Sequence, residues 1–165
     1  MSVESRAIAR AIESNDLETA GRLCQVHRDR LLASGELQML FEHAAMTNRV
    51  AAMDLLHQTG ASINAPSDDS RSGQTVLYSA AACEAGESIR WLLAHGATVN
   101  RAVEGELRCL PLFVAIRLGN ADIVRILVEA GAVTRTIWNG QTPVECARAH
   151  RHSEIADYLA LVTGA

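Results

Sequence analysis

The chain has no lysine and few aromatic residues. All 15 of its basic residues are arginine, and aromatic residues make up 4% of the 165 positions. Its net charge is −4 and its pI lies near 5.8, so it lacks the basic excess that broad nucleic-acid binding requires. We therefore expect no nucleic-acid partner, and a core built from alanine, leucine, isoleucine and valine.

Long apolar runs and short cysteine spacings are also missing. No run approaches the roughly 20 apolar residues that cross a bilayer, and the N-terminal residues lack the apolar core of a signal peptide. The four cysteines, Cys24, Cys83, Cys109 and Cys146, lie far apart, which argues against a disulfide framework and against a zinc ribbon. We expect a soluble cytoplasmic protein without membrane contact. Its richness in alanine and arginine is compatible with a bacterial source.

Catalytic and metal motifs are absent from the sequence as well. It contains no GxxxxGK, GxSxG or HExxH motif. The nearest approach to a metal cluster is Cys146 with His150, His152 and Glu154, of which only Cys146 and His150 share a helical face. We expect no enzyme activity, no cofactor and no metal. A small metal-binding protein or enzyme that uses Cys146 and His150 is the alternative from another class, and zinc analysis of the purified protein would reveal it.

What the chain does contain is a repeated pattern of a short alanine-rich helix, a polar corner, a leucine-rich helix and Gly-Ala. Aligning Gly60, Gly96 and Gly131 superimposes three blocks without gaps: MLFEHAAMTNRVAAMDLLHQTGAS, TVLYSAAACEAGESIRWLLAHGAT and LPLFVAIRLGNADIVRILVEAGAV. Successive glycines lie 36 and 35 residues apart. Similarity at such a period indicates a solenoid of helix pairs, in which each unit buries its apolar face on its neighbours.

These blocks resemble the ankyrin repeat, whose unit begins near T-P-L-H-x-A. The resemblance is closest after Leu110, where Pro111-Leu112 opens the unit, Ala115 follows and Gly119-Asn120 forms the corner. Two further units extend the resemblance over nearly the whole chain. Thr142-Pro143 opens the last of them, and Asn15-Asp16, 33 residues before Asn48-Arg49, marks the corner of a degenerate first unit.

The resemblance implies an all-α ankyrin-repeat solenoid of about five helix-turn-helix units with finger loops, in one domain over 1–165. We place a degenerate N-terminal cap unit at about 1–35, internal units at about 36–65, 72–101 and 107–135, and a C-terminal cap unit at about 139–165. Local chemistry agrees with this division. Thr75 and Thr142 can cap helices, and Pro111 and Pro143 fall where a helix needs no donor.

The chain departs from the family at the histidine of T-P-L-H. That place is held by Glu42, Tyr78, Phe113 and Glu145, so the family's hydrogen-bond ladder between units cannot form in the usual way. One interpretation is relaxed packing in a divergent member. The other is that Tyr78 and Phe113 fill space between units while the two glutamates lie exposed in the outer units.

The fingers differ most between units. The first, residues 62–73, is long and polar, and it is either an inert flexible loop or part of a binding surface. The third carries Arg135, Ile137 and Trp138 beside an Asn-Gly turn. Trp138 is either an exposed anchor or folds back over the last helix pair, whereas Trp91 takes a place that leucine and isoleucine hold in other units and is predicted to be core.

In this family, fingers and first helices line a concave surface that engages other proteins. The resemblance thus implies a monomeric protein–protein interaction module without catalysis. The partner-binding residues that we predict are Asp68, Asp69, Arg71, Arg101, Glu104, Glu106, Arg108, Arg117, Arg135 and Trp138. First-helix residues expected on the same surface are Glu13, Met46, Thr47, Ala82, Cys83, Leu118 and His150.

The alternative role is an immunity-type inhibitor that blocks the active site of a toxin or enzyme, with the acidic finger residues imitating nucleic acid toward a basic nuclease. For either role, we expect that Arg117→Ala and Trp138→Ala each weaken partner binding and leave the fold intact. Arg90→Ala, on the outer helix face, should change affinity little.

Overall fold

A computed structural model of the chain describes residues 1–65, 74–103, 106–107 and 110–164. Eleven helices occur in this part of the chain: α1 (Val3–Glu13), α2 (Leu17–Val26), α3 (Arg28–Ala33), α4 (Glu36–Met46), α5 (Val50–Thr59), α6 (Val76–Ala82), α7 (Gly86–Ala94), α8 (Pro111–Leu118), α9 (Ala121–Glu129), α10 (Pro143–Ala149) and α11 (Ser153–Thr163). Two short strands, β1 (Ala102–Val103) and β2 (Glu106–Leu107), pair antiparallel between α7 and α8.

Ten of the helices form five pairs in chain order: α1 with α2, α4 with α5, α6 with α7, α8 with α9, and α10 with α11. The first helices α1, α4, α6, α8 and α10 pack successively on one another, and so do the second helices α2, α5, α7, α9 and α11. This confirms the predicted all-α solenoid of helix-turn-helix units.

Three of the first helices, α6, α8 and α10, begin where the sequence predicts. The hydroxyl of Thr75 accepts a hydrogen bond from the backbone N–H of Tyr78, and that of Thr142 accepts one from Glu145. The Glu145 carboxylate in turn accepts from the Thr142 N–H, which completes a capping box. Pro111 and Pro143 occupy the first turns of α8 and α10, where the missing N–H has no partner to lose.

The core is built mainly from small and aliphatic residues. Alanines are buried at matching places in four of the first helices, namely Ala44, Ala45, Ala80, Ala81, Ala115 and Ala147. Because alanine occupies little space, these helices can approach closely without clashing. Both phenylalanines of the chain, Phe41 and Phe113, are fully buried between them.

Helix α3 was not expected from the sequence. It lies between the first two units and inserts Leu31 into the core, while the Arg28 guanidinium donates to the Thr59 carbonyl at the end of α5, at 2.8 Å. Its six residues, RDRLLA, are too few to display a helical period in the sequence. Packing on α4 and α2, together with the Arg28 hydrogen bond to the end of α5, therefore accompanies a helix that periodicity could not reveal.

Candidate functional site

The first helices and their C-terminal caps expose one row of side chains, which we call the first-helix surface. Its members are Arg6, Arg10, Glu13, Met39, His43, Met46, Thr47, Ala82, Cys83, Arg117, Leu118 and His150. Three of them are large and apolar yet well exposed: Met39 at 50%, Met46 at 39% and Leu118 at 48%. Such exposure beside charged residues makes this row the candidate site.

Two depressions lie on this surface. The first, of about 430 Å³, lies between α1 and α4 and is lined by Arg6, Ala9, Arg10, Glu13, Met39 and His43, among others. The second, of about 310 Å³, bridges three units and is lined by Tyr78, Ala82, Val114, Arg117, Leu118 and His150. The small side chain of Ala82 leaves room between its larger neighbours in the second depression.

The carboxylate of Glu36 anchors the N-terminal end of this surface. It accepts hydrogen bonds from the hydroxyls of Ser5 at 2.6 Å and Ser2 at 2.7 Å, and from the Ser2 backbone N–H. These hydrogen bonds, led by the one from Ser5, lower the pKa of Glu36 to about 2. The negative charge also lies at the N-terminus of α1, where the helix dipole favours it.

Amide side chains join the bases of the fingers. Asn64 donates to the Gly96 carbonyl at 2.9 Å and accepts from the Thr98 N–H at 2.8 Å. Asn100, 36 residues later, repeats this arrangement toward the next unit, with Gly131 at 2.7 Å and Val133 at 3.0 Å. We call these two the amide clamps, because each one links a finger to the unit that follows.

Two arginines of the predicted partner-binding set make similar contacts. Arg101 donates to the Asn64 carbonyl at 2.9 Å. Arg135 stands four residues after Gly131, in the place of the clamp asparagines, and donates to the Thr163 carbonyl at the end of α11. Both guanidiniums therefore form intramolecular hydrogen bonds that fix the bases of the fingers.

The third finger is a tight turn that carries Trp138 back onto the core. Trp138 and Gln141 exchange backbone hydrogen bonds at 2.9 and 3.1 Å around Asn139 and Gly140, which both have positive φ angles. The indole is half buried, and its centroid lies 5.2 Å from that of Phe113. Trp138 thus packs on the preceding unit, and neither of the two sequence-based expectations described this contact.

Trp91 is half buried rather than fully in the core. Its ring stacks on His95 with centroids 3.8 Å apart and meets the edges of His57 at 5.7 Å and Phe41 at 6.0 Å. Phe41 belongs to the core, so Trp91 covers it from the side of the second helices. One face of the ring is therefore closed by a partly exposed histidine instead of by aliphatic side chains.

Comparison with known families identifies the repeats. Residues 41–93 match a family model described as ankyrin repeats in many copies, and residues 108–136 match the model of the single ankyrin repeat. The chain is an ankyrin-repeat protein.

Similar proteins include Rabankyrin-5 of Mus musculus and of Homo sapiens, each 30% identical over 137 and 136 residues respectively. The matched region covers 76% of this chain and 12% of either Rabankyrin-5. Protein PhlB of Serratia liquefaciens is 32% identical over 145 residues, which are 86% of this chain and 60% of PhlB. The ankyrin repeats of this chain thus correspond to only part of each relative.

The family's histidine position has been rebuilt with other contacts in this ankyrin-repeat protein. Glu42 is half buried and accepts a hydrogen bond from the Ser79 hydroxyl of the next unit at 2.6 Å. Phe113 is fully buried and Tyr78 half buried, as expected of residues that fill space between units. Glu145 is exposed and serves the capping box. One link of the ladder therefore survives as a carboxylate–hydroxyl pair.

The ten residues predicted to bind a partner are placed very differently by the fold. Arg117 is exposed on the first-helix surface, while Arg101, Arg135 and Trp138 make the internal contacts given above. The backbone of Glu106 forms part of β2. The remaining five lie outside the described residues: Asp68, Asp69, Arg71, Glu104 and Arg108.

Sequence reasoning missed the first depression. It selected Glu13 there but not Arg6, Arg10, Met39 or His43. The signal was available, because in the repeat alignment Arg10 and His43 share the helical position of Ser79 and Val114 in later units. The relation was missed because the degenerate first unit was aligned only at its corner.

The pair that was considered for metal binding offers two ligands. The sulfur of Cys146 lies 3.9 Å from Nδ1 of His150, which is also 2.9 Å from the Cys146 carbonyl oxygen. Burial raises the pKa of the Cys146 thiol and so disfavours the thiolate that would bind a metal. Across the described residues, no group of three or more metal-ligating side chains comes together.

No helix in this part of the chain is long and apolar enough to cross a membrane.

Proposed function

We propose that this protein is a non-catalytic interaction module that binds a partner protein through its first-helix surface, with the fingers contributing at one edge. Ankyrin repeats indicate a protein-binding role, and the observation that carries the choice of surface is the exposure of Met39, Met46 and Leu118 beside arginines. Large apolar side chains next to arginine are the composition in which a few residues supply most of a binding energy.

The relatives support the repeat class of this module but do not extend to its partner, because the chain spans 12% of Rabankyrin-5 and 60% of PhlB. The inhibitor hypothesis depends on the acidic fingers. Four residues carried it, of which Asp68, Asp69 and Glu104 lie outside the described residues and Glu106 is described only in its backbone. The proposal is therefore confined to binding.

Arg117 remains the first residue to test, because it lines the second depression and is exposed. Trp138 is a weaker probe than the sequence indicated, since removing a half-buried ring would also disturb the fold. Ile137, with 69% of its side chain exposed at the third finger, reports on the finger without that complication.

The test is affinity capture from the native lysate, followed by measurement of the captured partner's affinity for purified variants. Arg117→Ala should weaken binding by about 2 kcal/mol, or roughly thirtyfold, and Ile137→Ser should weaken it to a smaller extent. Arg90→Ala, exposed on the second helix α7, is the matched control and should change affinity little. If Arg90 matters and Arg117 does not, the partner binds the second-helix side and the proposed site is wrong.

A further inference from the structure

We infer that the partner presents an acidic segment with an apolar side chain beside its carboxylates, and that this segment binds along the first-helix surface with its apolar side chain in the first depression. This inference rests on the proposed function and adds the chemistry of the partner. It starts from the way in which the first helices distribute their charged groups.

Four of the five acidic residues of the first helices are hydrogen-bonded or ion-paired within the molecule. Glu36 accepts from Ser2 and Ser5, Glu42 from Ser79 and Glu145 from Thr142. Glu4 forms an ion pair with Arg30, whose guanidinium nitrogen lies 2.8 Å away, whereas Glu13 is exposed and lies 3.6 Å from Nε2 of His43. Four of the five carboxylates are thus hydrogen-bonded or ion-paired to described residues of the molecule, and Glu13 is the exception.

Three of the four arginines of the first helices lack such partners among the described residues. The side chains of Arg6, Arg10 and Arg117 are exposed and make no hydrogen bond or ion pair within the part of the chain that the structure describes. By contrast, Arg125 on the second-helix side meets Asp122 at 3.4 Å and Glu154 at 2.6 Å, and lies over the ring of Tyr158. Three exposed arginines against one exposed acid, Glu13, give the first-helix surface an excess of positive charge, although the whole chain carries −4.

The position of the arginines and the apolar residues beside them indicate which chemical groups a ligand of the first depression should carry. Arg6 and Arg10 lie one helical turn apart in the first depression, and Met39 and Ala9 supply apolar surface beside them. A guanidinium next to an apolar wall suits a carboxylate that carries a neighbouring aliphatic or aromatic side chain. Nucleic acid fits less well, because it calls for a denser array of cations and for exposed aromatic rings on which bases can stack.

The experiment uses the whole protein and a phage-displayed library of random dodecapeptides. Enriched peptides are synthesised with a fluorescent label, and their Kd is measured by anisotropy. The variants are Met39→Ser, Arg10→Gln and Arg117→Gln, with Arg90→Gln as the matched control because Arg90 is exposed on α7 and also lacks an ion pair among the described residues. A labelled single-stranded oligonucleotide of mixed sequence forms a separate arm.

The inference predicts enriched peptides rich in Asp and Glu around a Leu, Met or Phe. Arg10→Gln and Arg117→Gln should each raise their Kd about tenfold, Arg10→Lys should recover part of the loss, and Arg90→Gln should have no effect. Rising salt should also weaken binding.

Different failures point to different errors. Neutral or basic peptides whose binding depends on Met39 would overturn the acidic partner and leave the proposed surface standing. Peptides sensitive only to Arg90→Gln would contradict both proposals. Failure to enrich any peptide, or oligonucleotide binding that depends on Arg10 and Arg117, would overturn the acidic-segment inference.

Discussion

At the residue scale, the turn between the two helices of each unit always places one residue in the left-handed conformation. The five residues are Asn15, Asn48, Glu84, Gly119 and Arg151, with φ between 56° and 78°. Glycine and asparagine adopt this conformation readily, which is why Gly119-Asn120 and the Asn15 and Asn48 corners were visible in the sequence. Glu84 and Arg151 pay a steric cost of order 1 kcal/mol and are held there by the fold around them.

Gly119 has a second reason to be glycine. A Cβ built on it would lie 2.5 Å from Cε1 of His152, whose Nε2 is 3.3 Å from the Arg117 carbonyl oxygen. We expect Gly119→Ala to lower the free energy of unfolding by about 2 kcal/mol, from left-handed strain and displacement of the imidazole together.

The control for that prediction is Gly96→Ala. Gly96 has a φ of 86° and no heavy atom within 4 Å of the added carbon, so its substitution should cost only the strain, about 1 kcal/mol. Urea unfolding measures both variants. Equal losses would mean that the His152 contact contributes nothing.

The carboxylate of Glu36 should make the free energy of unfolding depend on pH in the acidic range. Its pKa is lowered from 4.5 to about 2, so its contribution is fully present above pH 4.5 and is lost as the pH falls toward 2. Glu36→Gln should therefore be less stable than wild type at neutral pH, and the difference should shrink between pH 4.5 and 2 in urea unfolding. Glu87→Gln, an exposed acid in the first turn of α7, is the control and should show little change. A difference for Glu36→Gln that is independent of pH would contradict the hydrogen-bonded carboxylate.

At the element scale, the fingers are tied to the following units by side chains rather than by regular strands. The amide clamps Asn64 and Asn100 each satisfy one carbonyl and one N–H that the Gly-Ala bend leaves without helical partners. The same 36-residue interval that separates the repeats separates the two asparagines. The repeat pattern could thus have predicted their equivalence, though not their hydrogen bonds.

Removing the second amide clamp, Asn100, should lower the free energy of unfolding by about 2 kcal/mol. Asn100→Ala leaves the Gly131 carbonyl and the Val133 N–H without partners, whereas Asn100→Asp keeps the acceptor for Val133 and loses the donor to Gly131. The expected order of stability in urea unfolding is wild type, then Asp, then Ala. A loss below about 0.5 kcal/mol for Ala would show that water replaces the clamp at little cost.

The position of Trp138 changes the expected effect of substituting it on the stability of the protein. Because the ring packs on Phe113, Trp138→Ala should lower the free energy of unfolding by about 2 kcal/mol, contrary to the sequence-based expectation of an intact fold. Ile137→Ala, in the same finger but with an exposed side chain, should cost less than 0.5 kcal/mol or so. Thermal unfolding of the pair tests this, and equal effects would contradict the buried contact.

At the scale of the whole molecule, the stability of each unit depends on the units packed against it. Helices α10 and α11 pack on α8 and α9, and Arg135 joins the third finger to the end of α11. In such a stack each unit depends on its neighbours for cover, because no unit closes a core alone. The last pair is therefore expected to be needed for solubility.

Truncation after Ala132 should expose the apolar faces of α8 and α9. Four side chains that are now buried would lose cover: Leu112, Ile116, Ile123 and Leu127. We expect aggregation or loss of most of the helical circular-dichroism signal. A truncated chain that stays soluble with an unchanged melting temperature would show that the repeat register is wrong.

The surface chemistry belongs to this scale as well. Net charge and the acidic finger residues supported the alternative inhibitor hypothesis, in which an acidic surface imitates nucleic acid. In the fold, four of the five acids of the first helices are hydrogen-bonded or ion-paired, while Arg6, Arg10 and Arg117 are exposed, so the sign of the proposed surface is the opposite of that of the whole chain. Net charge is a sum over residues and carries no information about which of them compensate one another.

The sequence by itself determined the class of fold and much of its local structure. The period of the Gly-Ala blocks, the caps at Thr75 and Thr142 and the prolines at 111 and 143 follow from interactions within a few residues, and these are visible along the chain. Only the tertiary structure decided which candidate site residues make contacts within the molecule and which are free to contact a partner. Trp138, Arg101 and Arg135 were all predicted to bind a partner, but each contacts a residue 25 to 37 positions away, namely Phe113, Asn64 and Thr163 respectively. Contacts at such separations depend on how the units stack, which no local pattern encodes.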